Sequence, residues 1–558
     1  MALFLRIRAG LRKGCHLMNK WHLMCSIMLL SCFLVTRLTT APIPEFFVLI
    51  AILFFLPAFL HFFYQEEKKR QQKGLIGFIM KAFPVAALCA TGAFIYHSLW
   101  LALGWLFFTM ILALFGFTRL LKRGAHPLHE LMIDGACMYI ALGGLWFWLY
   151  IADIQVMTFS PMIVLLTAIH FHYSAFFIPI FYGLLGRQRK KETTLYKVGG
   201  WVILLSPVMI AVGISYSRLF DTFSVVLYVI ALYLYGILCM TTSFRSTVAK
   251  GFVVFSSIML MGTIVLSFLY SAGMLLHVSY ISMDQMIWFH GSINASLVIL
   301  PGLIGWLIER PADRLKQNYF PISRVHGRFQ VMSFQHDHMQ HDEKIGLVDS
   351  LDQLNGKAFS AECVSPVIRR FYEDPMSFTL KAAVCFHWWV RPFVFLLQPV
   401  FRQLGQLYLG SSRMPYEMPG SLSRFQHPLE ERKNVRVWIR RNEKGEQVFY
   451  ALYAQHHDEE TVYMNIALPL PFSQLTAILK PLNEKEDFLL KSKSPKGSTG
   501  DEGLYLHTSF ITMKLPMEES FHMKPETEKS LTAIHQMKLF GIPFLTIQYQ
   551  IDSESHSS

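Results

Sequence analysis

Two apolar stretches of the chain carry polar side chains that could bind a ligand or pass a proton. The first stretch contains His170, His172 and Ser174, and the second contains His290 and Asn294. On a regular helix, residues four apart share a face, whereas residues two apart point in nearly opposite directions. His290 and Asn294 therefore share a face, as do His170 and Ser174, and only one of His170 and His172 faces a given neighbour.

Imidazole and amide groups on facing helices are able to bind a metal, orient a substrate or pass protons, and they also form structural hydrogen bonds between helices. We interpret His170, His172, Ser174, His290 and Asn294 as candidate substrate-binding residues. The metal candidates are His170, His172 and His290, although neither stretch has two histidines four apart. The sequence identifies no catalytic residue, and the cofactor is left unknown.

The elements that carry these residues are predicted membrane spans. Of the chain, 53% is hydrophobic and 16% is charged, against roughly 25% charged in a soluble domain. Crossing a bilayer takes roughly 20 apolar residues. About ten stretches qualify: 22–38, 43–64, 75–96, 98–118, 131–152, 161–185, 198–217, 222–243, 251–276 and 286–308. We favour a retained first helix, and a cleaved signal peptide is the alternative.

Basic residues predict the orientation, because loops on the cytoplasmic side carry an excess of Lys and Arg. Such residues occupy the N-terminus and every second connection. They include Lys68, Lys69, Arg70, Lys73, Arg119, Lys122, Arg123, Arg187, Arg189, Lys190, Lys191, Arg245, Lys250, Arg310, Arg314 and Lys316. Both the N-terminus and the C-terminal region are therefore predicted to be cytoplasmic. The same orientation places both polar sets in the outer half of the bilayer.

Other charges within the spans give less specific signals. Asp134 and Lys81 lie at similar depths near the predicted inner side, so they are a candidate ion pair. Glu45 lies at an outer helix end, where we expect contact with water.

The last 250 residues have the composition of a soluble domain. Helices are predicted at 366–375, 392–408 and 526–540, with a strand at 378–386 and an antiparallel meander from 434 onward. The sequence thus divides into a basic cytoplasmic N-terminus (1–21), a transmembrane helical domain (22–308), a linker (309–365) and a cytoplasmic α+β domain with an antiparallel sheet (366–558). The ending also fits a small barrel that binds an apolar ligand.

Three unusual motifs resemble the YndJ-like family of uncharacterised bacterial multi-pass membrane proteins. They are Thr167-Ala168-Ile169-His170-Phe171-His172-Tyr173, His290-Gly291-Ser292-Ile293-Asn294-Ala295, and Tyr463-Met464-Asn465-Ile466-Ala467-Leu468-Pro469-Leu470-Pro471. The resemblance implies a bacterial plasma membrane, and it supplies neither a reaction nor a substrate.

Three functions fit this architecture. The first is a transporter-like protein for a small or lipophilic molecule, which the ten spans and the intramembrane prolines favour. The second is an intramembrane enzyme that acts on a lipid or isoprenoid through the His170/His172–His290/Asn294 cluster. The third is a membrane sensor or scaffold whose cytoplasmic domain binds a ligand.

The expected partners are the lipid bilayer and a small-molecule or lipid ligand. The net charge of +13 does not indicate nucleic-acid binding, because most of the excess lies in the short loops between spans.

Overall fold

The chain folds into two compact units, one of helices and one built around a β-sheet. The first comprises Met1–Leu120 and Ala125–Arg314, and the second comprises Leu121–Gly124 and Leu315–Ser558. The computed structural model describes residues 20–37, 42–69, 74–124, 127–189, 192–312, 320–326, 339–340, 345–409, 414–428, 430–458, 460–493, 500–508 and 511–554.

The first unit consists of helices because a bilayer requires every backbone N–H and C=O to be bonded within the segment. The helices are α1 (Lys20–Arg37), α2 (Ile43–Ile50), α3 (Leu56–Lys69), α4 (Gly74–Tyr96), α5 (Leu99–Arg123), α6 (Leu128–Ile151), α7 (Pro161–Tyr173), α8 (Phe177–Gln188), α9 (Thr194–Tyr216), α10 (Arg218–Thr241), α11 (Thr247–Leu276), α12 (Met283–Gln285) and α13 (Leu300–Glu309). Segments of π-helix occupy Ala51–Phe55, Met286–Gly291 and Asn294–Ile299.

The predicted polytopic bundle is confirmed. Among the described residues, nine helices are long and apolar enough to cross a membrane, from Ile43–Glu66 to Met283–Glu309. The first predicted span corresponds to a shorter apolar helix, Leu23–Thr36.

Three prolines lie just after places where the spans lose regular α-helix. Proline has no N–H, and its ring clashes with the carbonyl four residues earlier. Accordingly, π-helix precedes Pro57 and Pro301, and the turn between α7 and α8 precedes Pro179. At that turn the Ala175 N–H donates to the His170 carbonyl, 2.9 Å away. The chain therefore departs from regular helix beside both predicted polar sets.

In the described part of the second unit, the strands form a single antiparallel sheet, which two short α-helices accompany. The strands are β1 (Met339–Gln340), β2 (Phe378–Phe386), β3 (Tyr416–Glu417), β4 (Gly420–Phe425), β5 (Arg436–Arg441), β6 (Gln447–Asp458), β7 (Thr461–Leu470), β8 (Ser473–Glu484), β9 (Asp487–Lys491), β10 (Gly503–Thr508), β11 (Thr512–Leu515), β12 (Met517–Pro525), β13 (Ser530–Leu539) and β14 (Ile542–Ser553). The helices are α14 (Pro366–Glu373) and α15 (Arg391–Leu404).

The strands follow the order β1-β4-β5-β6-β7-β8-β9-β12-β13-β14-β2-β3, and β10 pairs with β8 and β11. The predicted antiparallel sheet is thus confirmed. Strands β5 to β8 and strands β12 to β14 send side chains into the same core, to which α14 contributes Phe371 and Tyr372. The sheet therefore curls around its own core.

Two sequence assignments in this region differ from the structure. The helix predicted at 526–540 is wrong, because Ser530–Leu539 forms strand β13 between β12 and β14. Its burial alternates with period two, and Leu531 and Ala533 point into the core. The segment 345–365, which the sequence assigns to the linker, contributes Leu351 and Phe359 to that core. The rest of the predicted linker lies partly outside the described residues.

Candidate functional site

The two histidines of α7 have different surroundings, as the helical spacing predicts. His172 is buried, and its ring stacks on the indole of Trp105 in α5 with centroids 5.9 Å apart. The Trp105 Nε1–H donates to His172 Nε2 over 3.2 Å, and His172 Nδ1 is bonded to the Ala168 carbonyl over 2.8 Å. Both ring nitrogens of His172 are therefore engaged, Nδ1 within α7 and Nε2 in the hydrogen bond that joins α7 to α5.

His170 lies on the other side of α7 and is exposed on the surface of the helical unit. Its Nδ1 is bonded to the Leu166 carbonyl at 2.6 Å. Ser174, on the same face, shares a 2.6 Å hydrogen bond with the hydroxyl of Tyr228 in α10. Ser174 thus links α7 to α10, while His170 is accessible from outside the unit.

His290 and Asn294 form a polar group with α11. His290 Nδ1 is bonded to the Thr263 carbonyl at 3.0 Å, and its Nε2 lies 3.4 Å from the Ser267 hydroxyl. The Thr263 hydroxyl donates to the Asn294 amide oxygen over 3.3 Å, and the Asn294 amide donates to the His290 carbonyl over 2.7 Å. The hydrogen-bonding partner of these two residues is therefore α11 rather than α7.

The five predicted residues do not form one cluster. His290 lies within electrostatic range of His170, whereas His172 and Ser174 contact other helices. Among the described residues, no group of three or more His, Cys, Asp or Glu side chains is close enough to hold a metal ion. Of the five residues, the structure brings His290 and Asn294 into direct contact, and His170 lies within electrostatic range of His290.

A second, more strongly charged cluster lies at the other end of the spans, and the sequence analysis missed it as a site. Glu130 lies in the first turn of α6, where a helix N-terminus favours a carboxylate, and Asp134 follows one turn later on the same face. Two glycines bring the neighbouring helices close. A Cβ on Gly116 of α5 would lie 2.6 Å from the Asp134 carbonyl, and one on Gly183 of α8 would lie 2.5 Å from the His129 carbonyl.

Arg187 is the centre of this ionic network. Its Nε and Nη2 donate to the two oxygens of Glu130 over 2.6 and 3.1 Å, and its Nη1 donates to Glu66 of α3 over 2.6 Å. Arg119 of α5 donates to Glu130 and to Asp134, both over 2.8 Å. The side chains of Arg187, Glu130 and Asp134 are fully buried. The ionic network therefore joins α3, α5, α6 and α8 through charge-assisted hydrogen bonds.

Two neighbouring acidic groups also receive donors. Glu192, in the connection before α9, accepts from both the backbone N–H and Nδ1 of His129. Burial raises the pKa of Glu192, but the hydrogen bonds from His129 outweigh it, and the net shift is downward. Glu309 of α13 accepts from the backbone N–H groups of Arg245 and Ser246 at the start of α11.

The proposed pairing of Asp134 with Lys81 is wrong, because Asp134 bonds to Arg119 and Lys81 is exposed. Glu45, expected in water, is buried and accepts from the Tyr150 hydroxyl over 2.9 Å. In the sequence, Arg119 and Arg187 indicate only the orientation of the spans. The signal that could have found the network is the presence of Glu66, Glu130 and Asp134 at the same ends of the spans.

Comparison with known proteins supports the resemblance carried by the motifs. The profile of YndJ-like proteins matches residues 46–298. The chain is 40% identical over 524 residues to the uncharacterized membrane protein YndJ of Bacillus subtilis (strain 168), covering 93% of this chain and 96% of that relative. No solved structure matches the chain. The similarity to YndJ thus extends over nearly the whole length of both proteins.

Proposed function

We infer that this chain, which belongs to the YndJ-like family of membrane proteins, is a transporter-like protein that moves a small or lipophilic molecule. The observation that carries this proposal is the interrupted span formed by α7 and α8. Helix α7 carries His170 just before the interruption, and α8 carries Arg187 at its far end. Discontinuous helices of this kind form the substrate sites of many secondary transporters.

The polar groups near the interruption are suited to contact a substrate. His170 is exposed, and His290 and Asn294 are only partly buried, so a molecule entering from that side meets imidazole and amide groups. An amide is uncharged and an imidazole can be uncharged, so the three side chains are able to bind a polar group without a permanent charge. We propose His170, His290 and Asn294 as the substrate contacts, and we assign His172 and Ser174 to helix packing.

The ionic network serves as the closed gate in this proposal. Removing one partner from a buried ion pair leaves an uncompensated charge, so the network has one strongly favoured arrangement while α3, α5, α6 and α8 stay together. Separating those helices requires water to replace the protein partners of Arg187 and Glu130. The network therefore closes one end of the spans until water or a substrate reaches it.

We further propose that the protein lies in a bacterial plasma membrane with its N-terminus and its second unit in the cytoplasm. Support comes from the basic residues in alternate connections, including Arg119, Arg187 and Arg245. With this orientation the ionic network lies at the cytoplasmic end of the spans. The enzyme and sensor hypotheses stay predictions.

Comparative metabolite profiling tests the transport proposal. Bacteria that express the wild type are compared with an empty-vector strain, and compounds in cells and medium are measured by untargeted mass spectrometry at equal membrane abundance. We expect at least one compound whose distribution depends on the protein and returns to the empty-vector value in Glu130→Gln. Isotope-labelled uptake of that compound into proteoliposomes then measures transport directly.

Asp221→Asn is the matched control. Asp221 is also a buried carboxylate in a span, but it accepts from Ser271 and lies outside the ionic network. It should behave as the wild type. Identical metabolite distributions in the wild-type and empty-vector strains would contradict the transport proposal.

A further inference from the structure

The core of the β unit contains a cavity of about 130 Å³. Its walls are mainly apolar side chains of the curled sheet, such as Met464, Ile466, Ala477 and Ile547. A well-packed core has few voids larger than a water molecule. An empty space of this size is comparable to engineered cavities that bind a benzene ring.

One buried arginine lines this apolar cavity. Arg440 of β5 is 5% exposed, and among the described residues no carboxylate forms an ion pair with it. Its Nη1 donates to the Met418 carbonyl over 2.7 Å, and its guanidinium lies 3.8 Å from the ring centroid of Trp438. Burial lowers the pKa of Arg440 to about 10, which reflects the cost of holding this charge without a counter-ion. Gly420, its cross-strand neighbour, leaves room for the side chain, since a Cβ there would lie 3.0 Å from Arg440 Cδ.

The other polar groups around Arg440 are hydrogen-bond donors without acceptors. The indole Nε1 of Trp438 is buried, and none of the described residues accepts a hydrogen bond from it. Tyr453 of β6 and Tyr549 of β14 also line the cavity, and within the described part of the chain neither hydroxyl makes a hydrogen bond. Burial raises the pKa of both tyrosines, so both hydroxyls keep their protons. A buried donor without an acceptor costs about 1–3 kcal/mol. The indole of Trp438 and the two tyrosine hydroxyls, beside a guanidinium without a counter-ion, therefore indicate that an acceptor belongs in the cavity.

The acidic residue of the cavity does not fill that role. Glu519 of β12 lies 2.7 Å from His535 Nε2, and the His535 ring stacks on Phe521. Its carboxylate is therefore already engaged on the side of the cavity formed by β12 and β13. The side formed by Arg440, Trp438, Tyr453 and Tyr549 keeps its excess of donors.

We propose that this cavity binds a small anionic amphiphile, with its carboxylate or phosphate on Arg440 and its apolar body among the core side chains. The Arg440 guanidinium has N–H groups beyond the one that donates to Met418, and a guanidinium binds two oxygens of a carboxylate or of a phosphate with the same paired geometry. The hydroxyls of Tyr453 and Tyr549 and the Trp438 indole supply further donors to the anion. The cavity volume suits one aromatic ring or a short aliphatic chain. This proposal does not depend on the transport proposal.

Ligand-observed fluorine NMR on the full-length protein in lipid nanodiscs tests the site. The probes are para-trifluoromethyl benzoate, para-trifluoromethylphenyl phosphate and the neutral para-trifluoromethyl benzamide, and empty nanodiscs correct for partition into lipid. We expect saturable binding of at least one anion, with the benzamide weaker by about tenfold or more, because one hydrogen bond to a charged group accounts for that factor. The preferred anion identifies the ligand as a carboxylate or a phosphate monoester.

Three variants locate the site. Arg440→Gln should remove the preference for the anion, and Arg440→Lys should keep part of it. Ala477→Leu should weaken the anion and the benzamide together, because Ala477 lines the cavity and is 1% exposed. Arg441→Gln is the matched control, since Arg441 is the next residue of β5 and is exposed; it should bind as the wild type.

Three results would overturn the proposal. They are equal affinities of the wild type for the benzoate and the benzamide, unchanged anion binding in Arg440→Gln, and no saturable binding of any probe. If Arg440→Gln does not fold, the wild-type comparison of anion with benzamide and the Arg440→Lys result decide the question.

Discussion

Two buried arginines, Arg187 of the helical unit and Arg440 of the β unit, have opposite surroundings. Arg187 in the helical unit has two carboxylates within 2.6 Å, and Arg119 beside it shares one of them. Arg440 in the β unit has a single carbonyl and the face of an indole. The first charge is compensated within the folded chain, and the second is not.

The difference separates two uses of a buried charge. A fully paired network specifies one arrangement of the helices that carry it, because every alternative arrangement leaves a charge unpaired. A buried guanidinium without a counter-ion costs free energy in the unliganded protein, and an anionic ligand recovers that cost when it binds. On this basis the ionic network around Arg187 organises the membrane unit, whereas Arg440 marks a binding site.

Removing Arg187 should have the largest effect. Arg187→Met leaves the carboxylates of Glu66 and Glu130 buried without their main partner, and we expect a loss of about 3–5 kcal/mol in the free energy of unfolding. Thermal unfolding in one nanodisc composition measures the change. The exposed Arg218→Met is the control and should change stability by less than about 0.5 kcal/mol. A melting temperature equal to that of the wild type would mean that the network does not hold the helices.

His507 in the β unit allows the cost of an uncompensated buried charge to be tested by changing the pH, because this side chain gains its charge as the pH falls. Burial lowers the pKa of His507 to about 4, and its Nδ1 contacts only the Thr512 hydroxyl. The folded pKa lies below the ordinary histidine value of about 6.5, so the stabilisation is complete above about pH 6.5 and is lost as the pH falls to about 4. The loss at the lower limit is on the order of 3 kcal/mol.

Unfolding of the β unit measured between pH 7 and pH 4 checks this expectation. The His507→Gln variant keeps a polar side chain and lacks the titration, so its stability should depend less on pH over that interval. An equal pH dependence in the two proteins would assign the effect to other groups.

Replacing Arg440 should have a much smaller effect than replacing Arg187. Arg440→Met loses the hydrogen bond to Met418 and the contact with Trp438, but it also removes an uncompensated buried charge. We expect the free energy lost with these two contacts and the free energy gained by removing the charge to cancel to within about 1 kcal/mol in the unliganded protein. Thermal unfolding without added ligand measures this. A loss as large as that of Arg187→Met would show that Arg440 is a structural residue of the core.

The loss of a neutral hydrogen bond between spans gives a reference value against which the ionic effects on the free energy of unfolding are compared. Thr263→Val removes the hydroxyl that donates to Asn294 with little change of shape, and we expect a loss of about 0.6 kcal/mol, the typical value for such a bond between membrane helices. Thr241→Val, which removes only bonds within its own helix, is the control. A loss of several kcal/mol for Thr263→Val would place Asn294 in a network as essential as that of Arg187.

The local parts of the architecture follow from sequence. Apolar length predicts the spans, and period-two alternation predicts strand Phe378–Phe386 at its observed bounds. The error at Ser530–Leu539 arose because its apolar residues do not alternate strictly with polar ones, as the adjacent Ala533 and Ile534 show. Pairing with β12 and β14 decides its conformation, and such pairing joins residues distant in sequence.

For the candidate site residues, too, the sequence predicts local features but not the contacts between distant segments. Helical spacing separates the environments of His170 and His172, but it does not reveal that Trp105 occupies the second ring nitrogen of His172. Likewise Arg119 and Arg187 are visible in the sequence as basic residues at helix ends, but the sequence does not reveal that both pair with Glu130.

The sequence by itself determined that this is a polytopic membrane protein with a C-terminal region that contains an antiparallel sheet, because hydrophobic length and alternation are properties of contiguous residues. Only the tertiary structure decided which buried charges are compensated. Glu130 meets Arg187 across 57 positions of sequence, and Arg440 meets no carboxylate among the described residues. The free energy of a buried charge depends on its spatial neighbours, and the fold sets those neighbours by bringing distant segments together.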